Sequence, residues 1–150
     1  MQFYSYEEFY VDVNVLAKEV KTSFAPEAIV SIARGGMTLG HFLAEALEMR
    51  DLYAINSIHY EETRKLDTID VFNIPDLSKV TRVLVVDDII DSGETMIEIK
   101  RVLLEKYPHI QLKVAAVFYK EKALLRPDFA AREATQWIKF FWDFEIDGGV

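Results

Sequence analysis

Apolar residues along the first part of the chain recur at helical spacing, and further on they gather into short alternating or continuous runs. Phe9, Val13, Leu16 and Val20 mark one face of a helix. Ser5 stands as its N-cap with Glu8 three residues on, the capping-box pattern, and Tyr4 and Phe9 occupy the flanking apolar positions. After Pro26 the residues 28–32 form a buried strand. Ala33, Arg34, Gly35 and Gly36 make a turn into a second helix with Leu39, Leu43 and Leu47 inward. Residues 52–60 alternate as a strand does, whereas 61–70 are charged and aperiodic. That stretch reads as a mobile loop or the bent end of a hairpin, with 71–74 returning as the partner strand. The branched run 83–86 is a buried strand, and Met96, Ile99 and Leu103 continue as a helix. Tyr107, Pro108 and His109 break it, and 112–118 is another buried strand. Residues 128–133 read as a connection or one helical turn, and 137–142 as a last aromatic strand or loop. Strands alternating with helices predict an α/β fold: a parallel sheet with right-handed crossovers and helices on both faces.

Composition narrows the function classes. A chain of 150 residues predicts one domain, residues 1–150, able to bury a real core. No apolar run is long enough to cross a bilayer, and the first residues lack the basic start and apolar core of a signal peptide. With no cysteine there is neither a disulfide framework nor a thiolate metal site, so the expected location is cytoplasmic. His41, His59 and His109 show no metal spacing. The net charge of −8 argues against a nucleic-acid surface, which needs a basic footprint.

The chemistry concentrates in residues 83–96, VLVVDDIIDSGETM. Asp87 and Asp88 stand at the carboxyl end of the buried strand, Asp91 follows, and Ser92, Gly93, Glu94 and Thr95 open the next helix. Free amides at such a turn and the helix dipole can hold a phosphate. The carboxylates can hold sugar hydroxyls or Mg²⁺, which prefers oxygen ligands. Any parallel sheet has polar strand ends, and Asp-Ser-Gly is ordinary turn chemistry. Three acids within five positions, feeding a small-residue turn into a helix, fit a site better. Ligands on such sheets bind at the carboxyl ends of strands. Arg34, residues 87–95, Lys120 and the aromatic tail all fall there.

This run resembles the phosphoribosyl diphosphate (PRPP) signature of type I phosphoribosyltransferases: an apolar strand, two acids, two apolar residues, Asp or Ala, Ser or Thr, Gly, any residue, Thr. The Arg34-Gly35-Gly36 turn resembles the pyrophosphate loop of the purine-salvage members, and TQWIKFFWDFE, residues 135–145, resembles the aromatic end of the bacterial xanthine-guanine and hypoxanthine enzymes. The resemblance spans roughly residues 28–143. It implies a parallel phosphoribosyltransferase core with a small hood made by the C-terminal aromatic segment. It implies transfer of phosphoribose from PRPP to a 6-oxopurine with Mg²⁺ as cofactor, and a homo-oligomer, dimer or tetramer. Arg34, Gly35 and Gly36 would hold the diphosphate, Asp87 and Asp88 the ribose hydroxyls, with Asp88 on the metal side. Ser92, Gly93, Glu94 and Thr95 would cradle the 5′-phosphate, and Asp91 would be the general base on the purine. Lys120 would donate to the 6-oxo group, with Trp137 stacking on the base and Ile138 presenting backbone groups to its edge. Phe140, Phe141 and Phe144 are expected in the core, and Ala33–Arg34 is expected to be a cis peptide. Residues 61–70 would close over the site. Glu94 departs from the family pattern, where a small residue is frequent, and must point outward.

Other functions share parts of this pattern. A PRPP-sensing regulator would keep the fold without catalysis, but it needs a nucleic-acid-binding surface that this acidic chain lacks. A phosphoacceptor-type α/β module also ends strands in acids, but the Ser-Gly-x-Thr turn suits phosphate binding better.

Overall fold

The computed structural model describes residues 1–60 and 68–147. The chain runs β1 (Gln2–Tyr4), α1 (Tyr6–Ser23), β2 (Ala28–Ala33), α2 (Met37–Ala46), β3 (Leu52–Tyr60), β4 (Thr68–Phe72), β5 (Arg82–Ile90), α3 (Glu94–Lys106), β6 (Gln111–Tyr119), β7 (Phe129–Glu133) and β8 (Ile138–Phe140). Ser5 caps α1 as a full capping box: its hydroxyl accepts from the Glu8 amide at 3.1 Å, and the Ser5 amide donates to the Glu8 carboxylate at 3.2 Å.

The main sheet has the order β4-β3-β2-β5-β6-β7. All pairs are parallel except β3–β4. Successive side chains on a strand face opposite ways, and the core divides accordingly. Ile29, Leu84, Val86, Ala115 and Val117 pack with α1 and α2 on one face. Ala28, Val30, Val83, Val85, Val114 and Ala116 pack with Met96, Ile99 and Leu103 of α3 on the other. After β2 the chain crosses to β3, and after β5 to β6, in opposite directions along the sheet. The crevice between the ends of β2 and β5 is therefore a topological switch point, the place where open α/β sheets bind ligands.

Several boundaries differ from expectation. The acids do not follow β5; they lie within it, since the strand runs on to Ile90. Pairing with β2 stops at Val86, while β6 continues alongside as far as Tyr119. The β2 side of Asp87 and Asp88 is thus open to the 33–36 turn. Residues 128–133 are neither a connection nor a helical turn: Phe129–Glu133 is β7, the sheet's edge. The returning strand begins at Thr68 rather than 71. The rest of the 61–70 stretch, and with it the expected closing role, lies outside the described residues.

The hood is a second, two-stranded sheet in which β1 pairs parallel with β8. Tyr4 anchors it. Its ring is fully buried, edge-on to Phe9, Phe118, Phe140 and Trp142. Its hydroxyl donates to Asp12 of α1, which also accepts from Arg132 Nε of β7 at 2.7 Å. Burial, then the Asp12 hydrogen bond, raises the phenol's pKa far above its usual value.

Candidate active site

The turn after β2 brings the backbone against the acids of β5. Its Ala33–Arg34 peptide is cis. The Gly36 amide donates to Ile32 O at 2.8 Å, and the Met37 amide to Arg34 O at 3.0 Å. A Cβ at Gly35 would collide with the Asp88 carboxylate, and one at Gly36 with the carbonyl of Val86. Glycine is required here because the turn lies directly on β5. The Arg34 side chain is exposed and makes no hydrogen bond or ion pair among the described residues.

Asp87 and Asp88 are held by their own backbone. Asp87 Oδ1 accepts from the Asp88 amide at 2.9 Å, and Asp88 Oδ1 from the Ile89 amide at 2.7 Å. Burial, then the charge of Asp88, raises the Asp87 pKa well above the carboxylate range. Burial raises that of Asp88 too, with Asp143 adding to the rise. Two acids that resist ionising side by side will ionise readily once a cation or sugar hydroxyls arrive.

The Ser92–Thr95 turn bends sharply at Gly93, whose φ of +89° suits glycine; a Cβ there would lie 2.9 Å from the Leu125 amide nitrogen. The Glu94 amide donates to the Ser92 hydroxyl at 3.2 Å, and the Leu124 amide to Ser92 O at 2.8 Å. Glu94 is exposed and does not line the cavity, as the family departure required. Asp87, Asp88, Ser92, Gly93 and Thr95 enclose a cavity of about 270 Å³, to which Gly35 and Ser57 contribute.

A second cavity of about 280 Å³ lies beside it, under the hood. Lys120 and Asp91 meet there, Nζ to Oδ1 at 2.6 Å. The Lys120 amide donates to Ile90 O at 2.9 Å, which holds the lysine beside the end of β5. Trp137 stands 75% exposed at the wall, an unusual state for so large a ring. The Ile138 side chain is core, so only its backbone can meet a ligand. A third cavity, about 680 Å³, opens between the 33–36 turn and the hood, with Arg34, Gly35, Trp137 and Lys139 in its wall. Asp88 lines all three cavities.

Phe140 is core and Phe141 packs partly buried against it. Phe144 corrects an expectation: it is 87% exposed at the third cavity, beyond the last strand and its packing. Asp143, Gln136, Ser57 and Lys139 also reach the cavities. Polar residues in the tail carry no periodic signal, and Ser57 is one of several polar positions in a paired strand, so spacing alone does not mark them. Asp143 does carry a local one, since its carboxylate accepts from the Phe140 amide at 3.0 Å, three residues back.

Residues 2–148 match the family model described as the phosphoribosyl transferase domain. The chain belongs to that family. A solved structure titled xanthine-guanine-hypoxanthine phosphoribosyltransferase, from Helicobacter pylori, is 39% identical, with a TM-score of 0.88 over 94% of this chain and 92% of that one. A xanthine-guanine phosphoribosyltransferase from Idiomarina loihiensis is 27% identical over 96% of this chain and 88% of its own. A purine phosphoribosyltransferase structure from Pyrococcus horikoshii Ot3 shares the fold at 24% identity, TM-score 0.81, covering 97% of this chain and 95% of that one.

The donor set suits the metal expected in this fold. Among the described residues no three or more His, Asp or Glu side chains form a metal cage. Asp88 instead offers a carboxylate in the cavity walls, and Mg²⁺ typically takes one or two carboxylates and completes its shell with water and substrate phosphates.

Proposed function

We propose that this phosphoribosyl transferase moves the 5-phosphoribosyl group of PRPP onto a ring nitrogen of a 6-oxopurine, giving the nucleoside monophosphate and diphosphate. The observation that carries this reading is the Lys120–Asp91 pair facing Trp137 beside the phosphate turn. A 6-oxopurine offers an acceptor at its oxo group and a donor at the neighbouring ring N–H. Sliding between the two side chains, it replaces both partners of the ion pair at once. The names of the relatives at 39% and 27% identity support the same substrate class.

In this account Ser92, Gly93 and Thr95, which line the cavity, bind the 5′-phosphate at the start of α3 through backbone amides and the two hydroxyls, with Glu94 contributing at most its backbone while its side chain stays in solvent. Asp87 and Asp88 orient the ribose hydroxyls. Arg34 and the Gly35 amide hold the diphosphate as the anomeric bond lengthens toward an oxocarbenium-like state, while Gly36, whose amide is bonded to Ile32 O, shapes the turn. Asp88 would hold Mg²⁺, which would supply charge neutralisation to the leaving diphosphate. Trp137 stacks on the base, the Ile138 backbone meets its edge, and Asp91 takes the proton of the purine nitrogen. No covalent enzyme nucleophile is required. The same reading has the protein act as one domain, in the cytoplasm, as a homo-oligomer. Its described helices include none long and apolar enough to span a membrane.

The test is diphosphate release from PRPP and Mg²⁺ with hypoxanthine, guanine, xanthine, adenine or uracil supplied singly. Release with the 6-oxopurines alone is expected. PRPP binding without turnover on any base would make the protein a sensor rather than a transferase.

A further inference from the structure

Lys139 is the unexplained cation of the hood. Its neighbours in β8, Ile138 and Phe140, are buried at 6% and 5% exposure. Strand alternation therefore turns Lys139 away from the core, onto the side that carries Trp137. The side chain is half-buried and, among the described residues, makes no hydrogen bond, ion pair or ring contact. It lines the cavity of about 680 Å³ together with Arg34 and Gly35. It does not line the cavity that holds Lys120 and Asp91.

We infer that Lys139 and Arg34 form a two-cation clamp for the diphosphate group, one cation from the hood and one from the turn after β2. This rests on the transferase reading given above. Arg34 and Lys139 are unpaired in a wall that also holds Asp88, Asp143 and Glu145, so the two cations together offset the acids that would repel a polyphosphate. Neither Arg34 nor Lys139 borders the cavity formed by the Ser92–Thr95 turn, so the anion beside them is the diphosphate end of PRPP and not the 5′-phosphate. The hood thereby senses the leaving group as well as the base. A lysine that instead served the purine, by donating to a 2-oxo group, would be expected in the cavity with Lys120.

The test compares wild type, Lys139→Met and Lys139→Arg. Binding of inorganic diphosphate with Mg²⁺ is measured by calorimetry, and KM for PRPP and for each 6-oxopurine by steady-state kinetics. Lys139→Met should weaken diphosphate binding and raise KM for PRPP by about 10-fold, the scale of one lost charge-assisted hydrogen bond. KM for the bases at saturating PRPP should not move, and Lys139→Arg should restore most of the loss. Unchanged diphosphate affinity in Lys139→Met would overturn the clamp, as would a loss confined to xanthine or guanine. A wild type that binds diphosphate through Lys139 yet transfers to no purine would sink the transferase reading and leave the clamp standing.

Discussion

Asp91 is held on Lys120 in the free protein, and both side chains are largely exposed, at 66% and 47%. Solvent screens such a pair, so it adds little to stability. Its weight is in function. Asp91→Asn should leave the melting temperature and PRPP affinity close to wild type while lowering kcat by roughly 10²–10⁴-fold, the usual worth of a positioned general base. Near-normal turnover would take the proton-transfer role away from Asp91. The buried acids behave differently. Asp87 and Asp88 keep protons in the native state that the unfolded chain has already lost. Their contribution to stability is thus complete below the ordinary carboxylate range, about 4, and declines as the pH rises through the elevated native values. Asp88→Asn removes one of the two like charges and can keep the hydrogen bond from the Ile89 amide. In metal-free buffer it should melt above wild type at neutral pH, with the gap closing toward pH 4. A gap that stays constant over this range would contradict the assignment.

Elements here are set by where backbones come close. Gly40 of α2 faces Ser31 of β2, and a Cβ at Gly40 would overlap the Ser31 hydroxyl. That hydroxyl is buried and has no hydrogen-bond partner. Gly40→Ala should therefore push α2 off the sheet and cost about 1–3 kcal/mol, the range for overpacking. Adding Ser31→Ala should recover part of it, as chemical denaturation of both variants can show. If Gly40→Ala alone proves as stable as wild type, α2 does not pack this closely. Such elements were legible where a pattern repeats. The capping box at Ser5, the runs in β2, β5 and β6, and the face of α3 are all readable from spacing. The weak strands were not. β1 has three residues, and its partner β8 lies more than 130 positions away. β7 is an edge, where one buried phenylalanine, two alanines and a polar end suffice because only one side is paired. Periodicity cannot signal either.

At the scale of the molecule, the site is assembled from β2, β5, α3, β6 and the hood, at the switch point of the sheet. The contiguous run 83–96 carried most of it, because one strand, one turn and one helix start supply the acids and the proposed phosphate cradle together. The remaining contacts depend on distant segments meeting. The ion pair of Lys120 with Asp91, the nearness of Asp143 to Asp88, and Lys139 sharing a wall with Arg34 are products of the fold, not of local spacing. The protein carries a net charge of −8 yet is assigned two anionic substrate ends. Placed cations and amides at short range can outweigh the distant surface charges, which salt screens beyond about 8–10 Å.

The central claim is that Lys120, Asp91 and Trp137 select a 6-oxopurine. Its most direct measure is the ratio of kcat/KM for hypoxanthine to that for adenine at saturating PRPP. Lysine carries only donors, so the 6-amino group of adenine cannot replace the carboxylate that Lys120 gives up. The account expects hypoxanthine to be favoured by about 10²-fold or more in wild type, with the preference lost in Lys120→Ala. Comparable values for the two bases in wild type, or full selectivity retained without the lysine, would contradict it.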